Sequence, residues 1–215
     1  HPENPDTLLT SNDLKNLLTG KITQWSEINP NSRLNDVTLV LDHQQSGARR
    51  FLQDSLLGGA SLESERLFAL QSAEEVVDYV ASLKGAIGIL GWAQIADKDD
   101  PRVKSLQSKI KIVLLDGIQS EDRCPYKPDY FGPFQSFLTT HCYNLGRDIF
   151  TIRREVIFGL GTGFIAYGTG YKGQRIIHKL GLGAMKGIPR EIKLPPKPGA
   201  KDVNSIEADL KTELK

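Results

Sequence analysis

The stretch "LVLDHQQSGARRFLQDSLLGG", residues 39–59, changes within a few positions from a buried strand to an amphipathic helix. Residues 37–41, "VTLVL", form a short apolar and β-branched run that is typical of a strand buried on both faces. A helix over about residues 48–57 follows, and two consecutive glycines end it. Because the strand turns directly into a helix, the pattern predicts an α/β layer fold with this corner at the carboxyl end of a strand.

Two further helices are predicted from the capping residues at their N-termini. Thr10 with Asp13, and Ser72 with Glu75, have the spacing of a capping box, in which two side chains satisfy free backbone N–H groups at a helix start. Leucines and valines at helical spacing follow each box and predict one buried face. The glycines predicted to end these two helices are Gly20 and Gly85.

The second half of the chain is less regular. Strands are predicted over residues 86–90 and 109–115, and a strand-like stretch over residues 147–152. Residues 116–143 are rich in proline, glycine and aromatic residues, which predicts irregular structure. Two helical pieces are predicted within residues 159–183, where the small residues of the first would allow close helix packing.

The composition excludes several classes of protein. The 215 residues carry 27 Lys and Arg against 26 Asp and Glu, so a net charge of +1 gives no support to a nucleic-acid partner. No apolar run approaches the roughly 20 residues of a membrane span, and no signal peptide is visible. No Cys/His cluster has zinc spacing, so neither a metal nor a cofactor is predicted. Cys124 and Cys142 could form a disulfide in an oxidising compartment or remain free thiols.

The sequence motifs do not predict an enzyme. Ser46 has His43 three residues before it, but the chain has no GxSxG motif, and this spacing alone does not place a histidine as the base of a hydrolase. The glycines of "GLGTG" lack the strand and spacing of a dinucleotide-binding loop. Asp97, Asp99 and Asp100 lack the spacing of a calcium loop and are interpreted as a solvated turn. The other histidines that were considered, His141 and His178, are scattered along the chain.

The strand-to-helix corner offers anion chemistry instead. The start of a helix carries unpaired N–H donors and about half a positive charge. The Ser46 hydroxyl, the N–H groups of Gly47 and Ala48, and one guanidinium from Arg50 or Arg49 would together cradle a tetrahedral oxyanion. Only one of the two arginines can face it, since helical neighbours point about 100° apart. The alternative is an ordinary serine N-cap with both arginines in solvent.

Five motifs, in order along the chain, carry a resemblance to a known family. They are "LKNLLTGKITQWSEI" (14–28), "SGARRF" (46–51), "GAIGILGW" (85–92), "NLGRDIFTI" (144–152) and "GLGTGFIAYGTGYKGQRIIHKLGL" (159–182). The sequence resembles the phosphate-binding proteins of ABC phosphate transporters, the PstS-like branch of the type 2 periplasmic binding protein fold. The resemblance runs from about Leu14 to Leu194.

The resemblance implies a fold and a domain organisation. Residues 6–140 would form the second lobe, a three-layer α/β sandwich. Residues 141–194 would be a return segment that completes a first lobe, whose N-terminal part is missing from this sequence. Residues 195–215 change to a proline-broken, polar composition and are expected to form a peripheral tail.

The resemblance also implies site residues. Ser46 and Gly47 match the capping Ser-Gly of the family's anion site, whereas Ala48 replaces a threonine and keeps only its N–H group. Asp42 stands where many relatives have an arginine, four residues before the serine. Arg50, in the first helical turn, is expected to supply the missing cation.

The implied function is the extracytoplasmic capture of inorganic phosphate for a membrane ABC permease, without catalysis. The expected protein is a periplasmic monomer with no cofactor and no nucleic-acid partner, and a lipid anchor on the missing N-terminal part stays open. The alternative is a non-catalytic binding or sensor module of the same fold with an altered anion specificity.

Overall fold

The structure, a computed structural model, describes residues 1–117, 124, 130–154 and 159–185. Strand β2 (Thr38–Leu41) is the centre of a parallel sheet and lies between β3 (Leu67–Ala69) and β4 (Ala86–Ile89). All four residues of β2 are buried, as the apolar run predicted. The α/β fold class is therefore confirmed, and β2 ends at the predicted corner.

A second sheet has strand order β1-β5-β6, with β1 (Leu8–Leu9) parallel to β5 (Leu114–Asp116) and β6 (Tyr130–Phe131) antiparallel to β5. The predicted strand over residues 109–115 was wrong in its first half, because a helix, α5 (Pro101–Ser108), extends almost to it. This helix was not predicted from the sequence.

Helices cover the sheets. They are α1 (Ser11–Leu18), α2 (Trp25–Ile28), α3 (Gly47–Phe51), α4 (Ala73–Ser82), α5 and α6 (Gln135–Thr139). The capping box of Thr10 and Asp13 is present at α1, and the Ser72 hydroxyl accepts the Glu75 N–H at α4. Gly20 has a φ of +72° and ends the α1 region as predicted.

The prediction of Gly85 as the C-cap of α4 was wrong, because the helix already ends in the extended residue Leu83. Gly85 is required for a close contact instead. A Cβ atom at this position would lie 2.5 Å from the carbonyl oxygen of Asp36, and the Gly85 carbonyl accepts the indole N–H of Trp25 at 3.1 Å.

The main core lies between α1, α2 and the central sheet. Trp25 and Leu18 are completely buried there, and the leucines that predicted the buried face of α1 pack with them. Burial of this apolar surface is the dominant stabilising term of the lobe. The largest fully buried side chains are Trp25, Leu9, Leu17, Leu18, Leu39, Leu41, Leu52, Val40, Val76, Val77 and Cys142.

The two helical pieces predicted in the second half are present as α7 (Leu160–Thr169) and α8 (Tyr171–Lys179). The strand-like stretch over residues 147–152 was wrong, since none of the described strands pairs with it. Within residues 1–117, 124, 130–154 and 159–185, no helix is long and apolar enough to cross a membrane. The polar tail, residues 195–215, lies outside the described residues.

The end of α8 is held against the lobe. The side-chain amide of Gln135 donates to the carbonyl oxygens of His178 and Leu182, and the Lys179 ammonium lies 3.6 Å from an Asp97 carboxylate oxygen. Most of the large apolar side chains of α7 and α8 are exposed, whereas Ile165 and Ile177 are half-buried.

Cys124 and Cys142 form a disulfide. The bond is buried beside Phe131 and Phe137. Of the two alternatives left open by the sequence, the structure therefore shows the bonded one.

Candidate functional site

The helix at the corner begins where the sequence predicted it. Ser46 has an extended backbone, and its hydroxyl accepts the Arg49 N–H at 3.1 Å, so it is the N-cap of α3. Helical backbone angles continue from Phe51 into a π-helical turn, Leu52–Leu56. The helical path therefore spans ten residues and starts at the carboxyl end of the central strand.

Two backbone donors at this helix start are free. The N–H groups of Gly47 and Ala48 occupy the first two helical positions, where no preceding turn can accept from them. They donate to none of the residues that the structure describes. Gly47 is exposed and Ala48 is half-buried, so an anion can approach the Gly47 N–H group from solvent.

The start of α1 is a useful contrast within the same molecule. There, one carboxylate oxygen of Asp116 accepts both the Ser11 N–H at 2.6 Å and the Ser11 hydroxyl at 2.5 Å. The Asn144 side-chain amide donates to the Ser11 hydroxyl and to the Asp116 carbonyl. The positive end of α1 is therefore neutralised by an internal anion, whereas no described carboxylate fills the start of α3.

The structure separates the two candidate arginines of α3. The Arg50 side chain is 86% exposed and pairs with Asp54 one turn further along, with 3.4 Å between Nε and Oδ2. Arg49 points to the other side and lines a small cavity of about 140 Å³ with Leu62 and Phe68. Neither guanidinium contacts the serine, glycine or alanine of the corner.

Arg147 is the cation that the sequence reasoning missed. Its Nη1 atom donates to the Gly47 carbonyl oxygen at 3.0 Å, and its guanidinium carbon lies 5.7 Å from the centre of the Phe51 ring. The residue lies within the fourth family-like motif, but exactly one hundred positions separate it from Gly47, so spacing alone could not bring them together.

Asp42, which stands in the place of the family's arginine, is buried at the end of β2. One carboxylate oxygen accepts the Gln94 side-chain amide at 3.0 Å. The other oxygen, Oδ1, is buried and has no hydrogen-bond partner among the described residues. A buried carboxyl group therefore lies at the end of β2, where the resemblance implied that relatives carry an arginine.

The geometry lends no support to serine catalysis. Nδ1 of His43 accepts the Gln45 N–H at 3.0 Å, and the Ser46 hydroxyl accepts the Arg49 N–H; among the described residues, Ser46 and His43 are joined only by a backbone hydrogen bond and not through their side chains. In the described part of the chain, no three His, Cys, Asp or Glu side chains are grouped so as to hold a metal ion. Asp100 caps α5 through the Arg102 N–H.

The described residues form an α/β fold, and comparison with known proteins assigns its family. The family described as "PBP superfamily domain" matches residues 1–170. The chain therefore belongs to the periplasmic binding protein superfamily, which confirms the suspected resemblance. No curated protein matches the chain.

Solved structures with a similar fold include phosphate-binding proteins. An ABC-type phosphate transport receptor from Vibrio cholerae is 16% identical over 84% of this chain, with a TM-score of 0.57. PstS from Borrelia burgdorferi is 20% identical over 85%, with a TM-score of 0.56. A Clostridium perfringens protein, provisionally assigned as a phosphate ABC transporter substrate-binding protein and solved with bound phosphate, is 18% identical over 86%, with a TM-score of 0.55.

At these identities the similarity establishes the fold. The chain spans 65% of the Vibrio protein and 66% of each of the other two, so about a third of each relative has no counterpart in the matched region. The neighbours are type 2 periplasmic binding proteins, which confirms the predicted fold class for the part that this chain covers.

Proposed function

We propose that this chain binds inorganic phosphate outside the cytoplasm and delivers it, as a monomer, to a membrane ABC permease. The observation that carries the proposal is the open start of α3, where the Ser46 hydroxyl and the free N–H groups of Gly47 and Ala48 share one corner. Membership of the superfamily and the phosphate transport function of the structural neighbours support it. No catalytic role is proposed.

The site has the chemistry that an oxyanion requires. Backbone N–H groups at a helix start donate in the direction of the bound anion, and the helix dipole adds a favourable potential. These contacts come from one lobe only. A complete cleft would bury the anion between two lobes, so we expect weak binding by this chain alone.

Arg50 remains part of the proposed site as the sequence expected it. Reaching the anion would require its guanidinium to leave Asp54 and turn towards the helix start. Since the pair with Asp54 is exposed, breaking it would cost at most about 1 kcal/mol.

We also propose the predicted domain organisation, with residues 6–140 as the second lobe and residues 141–194 as a return into a first lobe. The exposed apolar side chains of the return segment support this, because an unpartnered apolar surface of this size is typical of an interface. Phe150, Ile152 and Leu160 are 81%, 93% and 94% exposed. About a third of each structural relative has no counterpart in this chain, and we propose that the corresponding first lobe covers this surface.

A location in the periplasm or another extracytoplasmic compartment follows from the proposed transport role. The disulfide of Cys124 and Cys142 agrees with it, since such bonds persist in oxidising compartments.

Isothermal titration of the chain with phosphate, sulfate and acetate tests the proposal. We expect heat with phosphate and an affinity about five- to thirtyfold lower for Ser46→Ala, because one hydroxyl contact and one cap are lost. Ser72→Ala is the matched control, since it removes an equivalent cap from α4 without touching the corner. No heat with phosphate would contradict the proposal.

The alternative, a binding or sensor module with altered anion specificity, rests on Asp42 and Ala48. The first reverses a charge behind the corner, and the second removes a hydroxyl from it. Heat with sulfate or acetate but not with phosphate would favour this alternative.

A further inference from the structure

Arg147 joins two parts of the molecule that are distant in sequence. It lies at the beginning of the return segment, and its guanidinium rests against the first turn of α3 through the Gly47 carbonyl and the face of Phe51. A hydrogen bond and a cation–π contact from one side chain fix its orientation better than either would alone.

Gly47 is shaped for this contact. A Cβ atom at this position would lie 3.0 Å from Nη2 and 3.4 Å from Nη1 of Arg147, closer than a side chain ordinarily packs. The glycine of the "SGARRF" motif therefore makes room for a guanidinium, a role that the sequence did not reveal.

The charge of Arg147 is not neutralised locally. No carboxylate of the described residues forms an ion pair with it, whereas Arg50 is paired with Asp54 and Arg102 with Glu74. Nη2 lies beside the first helical residue, so an anion on the Gly47 N–H group would be within a few ångströms of an unpaired positive charge.

We propose that Arg147 is the positioning residue of this corner: it fixes the first turn of α3 against the return segment and brings the site its positive charge. The second half of this inference rests on the proposed function, whereas the first half concerns the free protein. The two halves are therefore tested by separate measurements.

Hydrogen exchange of the chain without ligand tests the first half. In Arg147→Ala, we expect the amides of Arg49 and Arg50, which are bonded to Ser46, to exchange about three- to tenfold faster. Arg102→Ala is the matched control, because it removes an exposed, paired arginine from α5 and should leave these amides unchanged. Equal exchange in Arg147→Ala and the unmodified chain would overturn the positioning role.

Titration with inorganic phosphate at several ionic strengths tests the second half. We expect Arg147→Gln, which keeps a donor but no charge, to bind about tenfold more weakly and with a flatter salt dependence. Arg147→Lys, which keeps the charge, should stay within about threefold of the unmodified chain. A role in folding alone would not change the salt dependence.

Two results would overturn the assignment of the charge. One is an unchanged affinity and salt dependence in Arg147→Gln, and the other is the tenfold loss appearing in Arg50→Gln instead. If the unmodified chain binds no phosphate at all, the proposed function and the charge assignment fail together, and hydrogen exchange alone decides the positioning role.

Discussion

The lobe and the return segment use the same apolar residues in opposite ways. Between residues 9 and 115, many leucines and valines are buried with Trp25 in three clusters around the sheets. Between residues 149 and 185, no described apolar side chain is buried, and nine of the thirteen exposed large apolar side chains are found there.

This difference shows that a segment can form a helix without burying its apolar side chains. Helices α1, α4 and α5 begin with side-chain caps and bury apolar residues, whereas α7 begins at Gly159 with no side-chain cap and presents Leu160 and Phe164 to solvent. Isolated helices of this length are marginal in water. The return segment therefore carries apolar side chains that are typical of buried helices, but none of the described residues covers them.

The largest expected effect comes from a pair of alanine substitutions, one in each region. Leu18→Ala, at a completely buried position, should lower the free energy of unfolding by about 2–5 kcal/mol, because it removes packing and leaves a cavity. Phe164→Ala, at a position that is 67% exposed, should change it by less than about 0.5 kcal/mol. Urea denaturation measures both. A cost for Phe164→Ala similar to that for Leu18→Ala would break the comparison.

The disulfide lies near residues 142–144, where the proposed lobe meets the proposed return segment; we call these residues the border. Replacing both Cys124 and Cys142 by serine should lower the free energy of unfolding by about 3 kcal/mol, because the bond closes a loop of 18 residues in the unfolded chain. Urea denaturation of the double variant, beside the oxidised chain with and without reductant, checks this. A double variant as stable as the oxidised chain would show that the buried cluster holds the border without the bond.

Asn144 ties the border to the start of α1. Asn144→Ala should cost about 1–3 kcal/mol, since it removes the amide that donates to both Ser11 and Asp116. Asn31→Ala, on an exposed loop, is the matched control and should cost less than about 0.5 kcal/mol. If thermal denaturation gives the same midpoint for both variants, the polar network does not hold the border.

Tyr143 gives the border a dependence on pH. Burial raises the pKa of its phenol to about 12, whereas the unfolded chain releases this proton near pH 10. Between these values the unfolded state binds fewer protons, so the free energy of unfolding should fall as pH rises, by about 1.4 kcal/mol at pH 11. In Tyr143→Phe, this contribution to the decrease in the free energy of unfolding should be absent. Urea denaturation of both chains at pH 9 and pH 11 measures it. An identical loss in both chains would contradict the burial of this ring.

Local signals in the sequence predicted much of the lobe. The capping residues Thr10, Ser46 and Ser72 all cap the expected helices, because a cap acts within three residues of its own position. The signals of α5 were also present, with Asp100 as cap and Pro101 in the first turn, but they were interpreted as a solvated turn.

Contacts over long distances in sequence could not be predicted in the same way. The strand expected over residues 147–152 has suitable residues, but a strand also needs a neighbour for its backbone groups, and none is described beside it. The pairing of the cysteines likewise depends on where the fold places them.

The α/β class, the buried central strand and the serine that opens α3 could all be predicted from the sequence, because each of these depends on neighbours a few residues apart. The charges that meet at that corner depend on the folded chain. There Arg50 pairs with Asp54, Asp42 is buried at the end of β2, and Arg147 contacts Gly47. Charges act through space, so residues one hundred positions apart in the chain can share one site once the core has packed.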